Sequence, residues 1–298
     1  MSQTNILRKK LNSGNLVKVG GAFDAMSAKI VETHGFDAIW AGSFAISATR
    51  ALPDASIMTM TEFLNVATSM VDACSIPVIA DCDTGFGGPS NVSYTVKKYE
   101  NAGVAAISIE DKVFPKQNSL LEGGTQVLLS EKEFVAKIIA AKEAKKNPNF
   151  TIIARTEALI ANLGMNEAIK RAKAYEKAGA DAILIHSKQN TPNEIFEFVD
   201  TWNGNIPIVI VPTSYPNVKL NDLKKHDISM VIYANQTLRA SYTAMNQILE
   251  QIKNSESLEK INGQISSMED IFKLQKMYDL KNEEEMIKTN LKKMGYVN

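Results

Sequence analysis

Eight short apolar runs rich in β-branched residues recur along the chain, and their number and spacing restrict the fold more than any other feature. They are LVKVGGAF (16–23), AIWAGS (38–43), IPVIADCD (76–83), AAISIED (105–111), FTIIARTE (150–157), AILIHS (182–187), IPIVIVP (206–212) and MVIYAN (230–235). Runs that are apolar throughout, rather than alternating, are what strands covered on both faces require. Between them lie amphipathic segments such as MNEAIKRAKAYEKAGA (165–180), where Met165, Ala168, Ile169 and Ala172 fall on one helical face. HGFDAI (34–39), AGVAAI (102–107) and AGADAI (178–183) each place a glycine where a helix would stop and a strand begin. Eight strand-plus-helix units at a spacing of about 35 residues predict an α/β fold, a (β/α)8 barrel of the TIM type over residues 1–250, rather than an open sheet. Residues 251–298 read as a charged C-terminal helical segment that packs on the barrel or on a neighbouring subunit, with SMEDIFKLQKMYDL (267–280) its most apolar piece.

Composition excludes several classes of function. The 298 residues carry 33 basic and 33 acidic side chains with no basic tract, which argues against nucleic acid as a partner. The polar start MSQTNILRKKLNSG lacks the apolar centre of a signal peptide, and no later run approaches the roughly 18 apolar residues of a membrane span. The expectation is a soluble, cytoplasmic protein. Cys74 and Cys82 are too few for a disulfide framework or a Cys-rich zinc site, and both are expected reduced.

Barrels of this kind carry their chemistry at the C-terminal ends of the strands. Here those ends are polar: Trp40, Gly42 and Ser43, then Asp81 and Asp83, Glu110, Arg155 and Glu157, His186, and Asn235. Asp81 and Asp83 are two apart, so on a strand with Ile79 facing inward both carboxylates would face inward too. Their mutual repulsion would be relieved by a divalent cation, and such oxygen ligands suit Mg2+ or Mn2+ with water completing the shell. Glu110, on the neighbouring strand, could hold one of those waters. Cys82 points the other way and reads as a packing residue. Arg155 offers a planar fork to a carboxylate or phosphoryl group, and is equally suited to neutralise Glu157 or Glu110. His186 at the mouth reads as either a satisfied core histidine or a site group, whereas His34 and His226 fall at helix ends and look structural. After Glu110 the chain leaves the strand into DKVFPKQNSLLEGG (111–124), whose polar centre and Gly123–Gly124 pair suit a mobile lid carrying Lys116, Asn118 and Ser119 over the site. DTGFGG (83–88) lacks a Walker lysine and a full GxGxxG, and is a weak nucleotide signal.

Taken in order, GAFDAMSAKI, GFDAIWAGSF, ADCDTGFGG, IEDKVFPKQNS, IIARTEALI and GADAILIHSK resemble the phosphoenolpyruvate mutase and isocitrate lyase superfamily over about residues 15 to 275. Within it, EDK followed by PKxNS is similar to the phosphoenolpyruvate mutases, which interconvert phosphoenolpyruvate and phosphonopyruvate in phosphonate biosynthesis. LPDASIMTM and the NTPNEI and VPTSYP stretches look closer to the phosphonopyruvate hydrolases, which release pyruvate and phosphate from the same small anionic 2-oxo acid and typically have Thr at the place of Asn118. The resemblance implies that Asp81 binds Mg2+ while Asp54, Asp83 and Glu110 hold its water shell. It implies that Arg155 and His186 contact substrate, that Lys116, Asn118 and Ser119 ride on a gating loop, and that the turn Trp40, Gly42, Ser43 and Phe44 supplies a wall and backbone donors. It further implies homotetramers, dimers of dimers that swap a C-terminal helix. In the second turn the mutases usually read WGSGL, whereas WAGSF here puts Gly42 at the serine position and Ser43 one later. That exchange motivates a second alternative, a non-catalytic barrel that binds an oxo acid. The lyases of the superfamily carry a KKCGH-type loop with a cysteine, which this loop lacks, so cleavage of isocitrate-like acids is disfavoured.

Overall fold

The computed structural model describes residues 2–296. Each apolar run contains a strand: β1 Val17–Ala22, β2 Ala38–Ala41, β3 Val78–Asp81, β4 Ala106–Glu110, β5 Thr151–Thr156, β6 Ala182–Ile185, β7 Ile208–Ile210 and β8 Met230–Tyr233. All neighbours pair in parallel and in chain order, and β8 closes on β1 with Val17 opposite Met230. The seam is tight. A Cβ on Gly21 would lie 2.2 Å from the Ala234 carbonyl oxygen, so only glycine fits where β1 passes the end of β8.

Alternation along the strands sorts side chains into two apolar layers. Val19, Trp40, Ile79, Ile153, Leu184 and Ile232 fill the barrel interior. Their neighbours, such as Ile39, Val78, Ile107, Ile152, Ile183 and Val231, face the surrounding helices. Each of the larger aliphatic side chains so buried contributes roughly 1.5–3 kcal/mol. The helix Gln3–Leu11 sets Leu7 and Leu11 into the interior cluster, and Gln3 anchors it by accepting from the amide of Val78 at the start of β3.

This parity positions the site. With Ile79, Ile153 and Leu184 inward, Asp81 and Arg155 point inward two residues later, as does His186 just beyond β6. Gly35, Gly103 and Gly179 take φ of +74°, +83° and +101°, ending three helices ahead of β2, β4 and β6 as their shared sequence pattern predicts. The helix Glu131–Ala144, which follows the long loop after β4, starts at a capping box in which Ser130 and Glu133 satisfy each other's backbone amides.

The chain divides into two compact units, Met1–Leu238 and Arg239–Asn298. The first contains the barrel. The second holds most of the helix Gln236–Asn254, followed by Glu259–Asn262, Met268–Leu274 and Met277–Lys293, with Lys276 at φ +55° between the last two. Among the described residues no helix is long and apolar enough to cross a membrane.

Candidate active site

The polar strand ends gather into two charge clusters at the mouth of the barrel. In the first, Lys116 reaches down from the loop after β4. Its Nζ lies 2.8 Å from Asp83 Oδ1 and 3.0 Å from Asp54 Oδ1, and donates to Ser43 Oγ at 3.2 Å. Ser43 Oγ in turn donates to Asp81 Oδ2 at 3.0 Å. Asn118 Nδ2 donates to Asp54 Oδ2 at 2.7 Å. One loop thus engages three carboxylates, two of them directly and Asp81 through a serine hydroxyl.

The second cluster is built around Glu157, just beyond β5 and fully buried. Arg155 Nε lies 2.5 Å from Glu157 Oε1 and 3.3 Å from Glu110 Oε2, its neighbour across the β4–β5 register. Arg155 Nη2 donates to Ser119 Oγ at 3.1 Å and meets His186 Nδ1 at 2.8 Å. His186 Nδ1 is also 3.0 Å from Glu157 Oε1. A guanidinium can only donate and a carboxylate can only accept, so that nitrogen serves one neighbour at a time and its proton choice sets the tautomer. Lys112 Nζ completes the group, 3.2 Å from Glu157 Oε2.

Burial and charge set the protonation states. Burial alone would depress the Lys116 ammonium, but the carboxylates around it, Asp83 foremost and then Glu110, Asp54 and Asp81, raise it well above its ordinary value. Asp83 is pushed up to about 6 by burial, with Lys116 opposing and the neighbouring acids adding to the rise. Glu157 goes the other way: burial would raise it, and Arg155, followed by His186 and Lys112, holds it well below the usual carboxylate range. Burial lowers His186, against the pull of Glu157, and keeps the ring neutral near pH 7.

Most of the residues singled out in the sequence therefore converge: Asp54, Asp81, Asp83, Lys116, Asn118 and Ser43 in one cluster, and Glu110, Arg155, His186 and Ser119 in the other. The route by which Asp83 arrives differs from the expectation. β3 ends at Asp81, and Asp83 sits beyond it at φ +48°, so strand alternation does not orient it. A turn carries it back, its amide donating to Asp81 Oδ1 at 3.2 Å. In the second turn Trp40 is buried in the barrel interior, Gly42 caps the short helix Ser43–Thr49 without a side-chain bond, and the Phe44 side chain is 42 % exposed. Cys82 is buried as expected and both thiols are free. His34 and His226 cap the ends of helices. Asn235 donates to Thr213 at 3.2 Å.

Two participants escaped the sequence analysis as site groups. Lys112 lies within EDK with no role expected of it, and Glu157 lies within RTE, where it is expected only as a counter-charge for Arg155. The signal was charge in a segment about to be buried, which calls for a partner.

Among the described residues, no three His, Cys, Asp or Glu side chains form a closed ligand set for a metal ion. The donors nonetheless fit a cation whose shell is completed by water. Asp83 Oδ2 and Glu110 Oε1 are buried without a hydrogen-bonding partner, and the carboxylates of Asp54 and Asp83 share the ammonium of Lys116.

A family model described as phosphoenolpyruvate phosphomutase matches residues 7–253. A phosphonopyruvate hydrolase of Variovorax sp. (strain Pal2) is 44 % identical over 92 % of this chain and 95 % of its own length. The crystal structure of a phosphoenolpyruvate phosphomutase from Streptomyces platensis subsp. rosaceus superposes with a TM-score of 0.93 at 43 % identity, covering 95 % of this chain and 98 % of that one. A phosphonopyruvate hydrolase solved in complex with oxalate and Mg2+ gives 0.91 at 42 % identity, covering 96 % and 99 %.

Proposed function

The chain belongs to the phosphoenolpyruvate mutase and isocitrate lyase superfamily and is an enzyme that processes oxo acids, and on that premise we propose that it breaks the phosphorus–carbon bond of phosphonopyruvate with the help of Mg2+ or Mn2+. The observation that carries this reading is the pairing of an acidic cluster that includes Asp81 with a second in which Arg155, Lys112 and His186 converge on Glu157, under a single loop that touches both. A substrate with a 2-oxo carboxylate at one end and a phosphoryl group at the other needs such a division.

Asp81 would hold the cation, with Asp54, Asp83 and Glu110 on its waters. Bound there, it supplies Lewis-acid stabilisation for the charge that develops on the 2-oxo oxygen when the phosphorus–carbon bond breaks. The remaining work belongs to side chains of this chain. Arg155 and neutral His186 offer donors to the phosphoryl oxygens, which in a loose transfer need positive charge and hydrogen bonds more than they need a base. Lys116 and Asn118 add donors from above. The backbone amides that open the Ser43 helix have no side-chain cap and remain free to donate to the substrate carboxylate.

Two fates are open to the pyruvate enolate left by cleavage. If its oxygen takes the phosphoryl group, phosphoenolpyruvate results; if water does, pyruvate and phosphate result. Overall likeness leans toward hydrolysis, since the curated relative at 44 % identity is a hydrolase. The loop leans toward transfer. The Lys116 and Ser119 that it carries are buried, and its Asn118 presents an amide, which can hold phosphoryl oxygens without activating water. We read the enzyme as a mutase on that ground. Phosphorus NMR of the purified protein with Mg2+ and phosphonopyruvate tests it: phosphoenolpyruvate as product sustains transfer, and stoichiometric phosphate without it establishes the hydrolase instead. The proposed assembly, helix-swapped dimers paired into tetramers, is testable by sedimentation.

A further inference from the structure

We propose that Lys112 and Glu157 form the latch that holds the lid over the site, with Lys112 acting as a positioning residue; the inference rests on the reading of the loop as a lid. The stem of the loop is fixed. Lys112 bridges Leu128 in antiparallel fashion, Val113 donates to the Val127 carbonyl at 3.0 Å, and Leu129 donates to the Asp111 carbonyl at 2.8 Å. Asp111 ties this base to the barrel: its carboxylate accepts from Tyr175 Oη at 2.7 Å, Arg171 Nη1 at 3.1 Å and the Glu157 amide at 2.8 Å.

From that immobile stem the Lys112 side chain turns under the lid. Its Nζ donates to the Gln117 carbonyl at 2.9 Å and to Ser119 Oγ at 2.6 Å, and faces Glu157 Oε2 at 3.2 Å. An ammonium has three protons, and here each has an acceptor. The pair is 2 % and 0 % exposed. Ser119 Oγ donates a hydrogen bond to Glu157 Oε2 and accepts from Arg155 Nη2. The lid segment 117–119 therefore hangs from the stem through Lys112, and rests on Arg155 through Ser119. With the stem held by Asp111, lifting the segment strips a buried ammonium of two acceptors and a buried carboxylate of one donor. Closure and the setting of the Arg155 fork become one event.

Backbone amide hydrogen exchange of the free protein tests the latch without reference to the reaction. In Lys112→Met, amides of residues 116–124 should exchange about tenfold faster or more while those of β3, β4 and β5 keep their rates, and Lys112→Arg should fall between. Glu157 keeps Arg155 as a partner in these variants, which favours folding; Ser119→Ala, which removes the lid's contact and buries no new charge, should loosen the same amides. Unchanged exchange at 116–124 in both Lys112→Met and Ser119→Ala overturns the proposal. With phosphonopyruvate, Lys112→Met should raise KM about tenfold with a smaller effect on kcat, and the share of free phosphate among the products should grow. A parent protein that turns over no phosphonopyruvate removes the reaction proposed above, while the exchange result still decides the latch.

Discussion

The two halves of the barrel mouth are built to opposite standards of completeness. On one side three carboxylates, Asp54, Asp81 and Asp83, share one ammonium directly or through Ser43, and buried acceptors on Asp83, and on Glu110 where this cluster borders the other, lack a donor. On the other, Glu157 is enclosed by Arg155, Lys112, His186 and Ser119, with a donor available to each of its oxygens. Buried polar groups left without partners are costly, and persist where something outside the chain completes them. The difference teaches which half awaits a ligand of opposite charge and which is already assembled to receive an anion.

The comparison breaks most sharply at Asp81. Asp81→Ala should reduce turnover of phosphonopyruvate by on the order of 10³-fold or more, whereas a loss of less than about tenfold would mean that the acidic half is not where charge develops. Asn118 bridges the halves through the loop. Its replacement by Ala should cost about 2–4 kcal/mol of transition-state stabilisation, a fall of about 30- to 900-fold, with more free phosphate among the products by phosphorus NMR.

Mg2+ should stabilise the parent protein by about 2.7 kcal/mol when present at roughly a hundred times its dissociation constant, raising the thermal midpoint by several degrees in a manner reversed by EDTA. The same titration on Asp81→Ala should show no rise. If both proteins respond alike, the cation binds elsewhere.

Acid should act on the halves with opposite sign. Asp83, pushed up to about 6 from 3.8, contributes stability that is full below pH 3.8 and lost as pH rises through about 6. In metal-free urea denaturation, Asp83→Asn should therefore be more stable than the parent above pH 6, the difference closing toward pH 4. Glu157 is held below its ordinary 4.5, so its contribution is present above pH 4.5 and is lost as pH falls further. The deficit of Glu157→Gln should thus be constant from pH 7 to about 4.5 and shrink only below it. Like responses in the two variants would erase the distinction between the halves. The smallest effect belongs to Phe44→Ala, which removes an exposed ring and should change KM by less than about twofold in steady-state kinetics.

How far the site could be read in the sequence depends on the kind of information each residue needed. Asp81 and Arg155 follow from parity: an inward Ile79 or Ile153 dictates the residue two places on, and a run of β-branched residues marks where that rule applies. Asp83 shows where the rule stops. Nothing in ADCDTG announces that the strand ends at Asp81, because the end is set by the left-handed backbone at Asp83 and not by hydrophobic pattern. Asp54 entered through family resemblance alone, since it lies in a turn without periodicity. Lys112 and Glu157 stand beside residues that were recognised, yet their pairing spans two barrel strands and could not be seen from either.

The amino-acid sequence by itself determined the eight-fold barrel, the helix-ending glycines, the inward face of each strand and the segment that serves as the loop, because all of these rest on local period and local backbone preference. Only the tertiary structure decided that Lys116 meets Asp54 and Asp83, that Ser43 turns to Asp81, and that Glu157 gathers Arg155, His186, Lys112 and Ser119. Those contacts join loops and strands far apart in the chain, and which buried charge finds which partner is fixed by the closed geometry of the barrel mouth, where burial makes a missing counter-charge expensive.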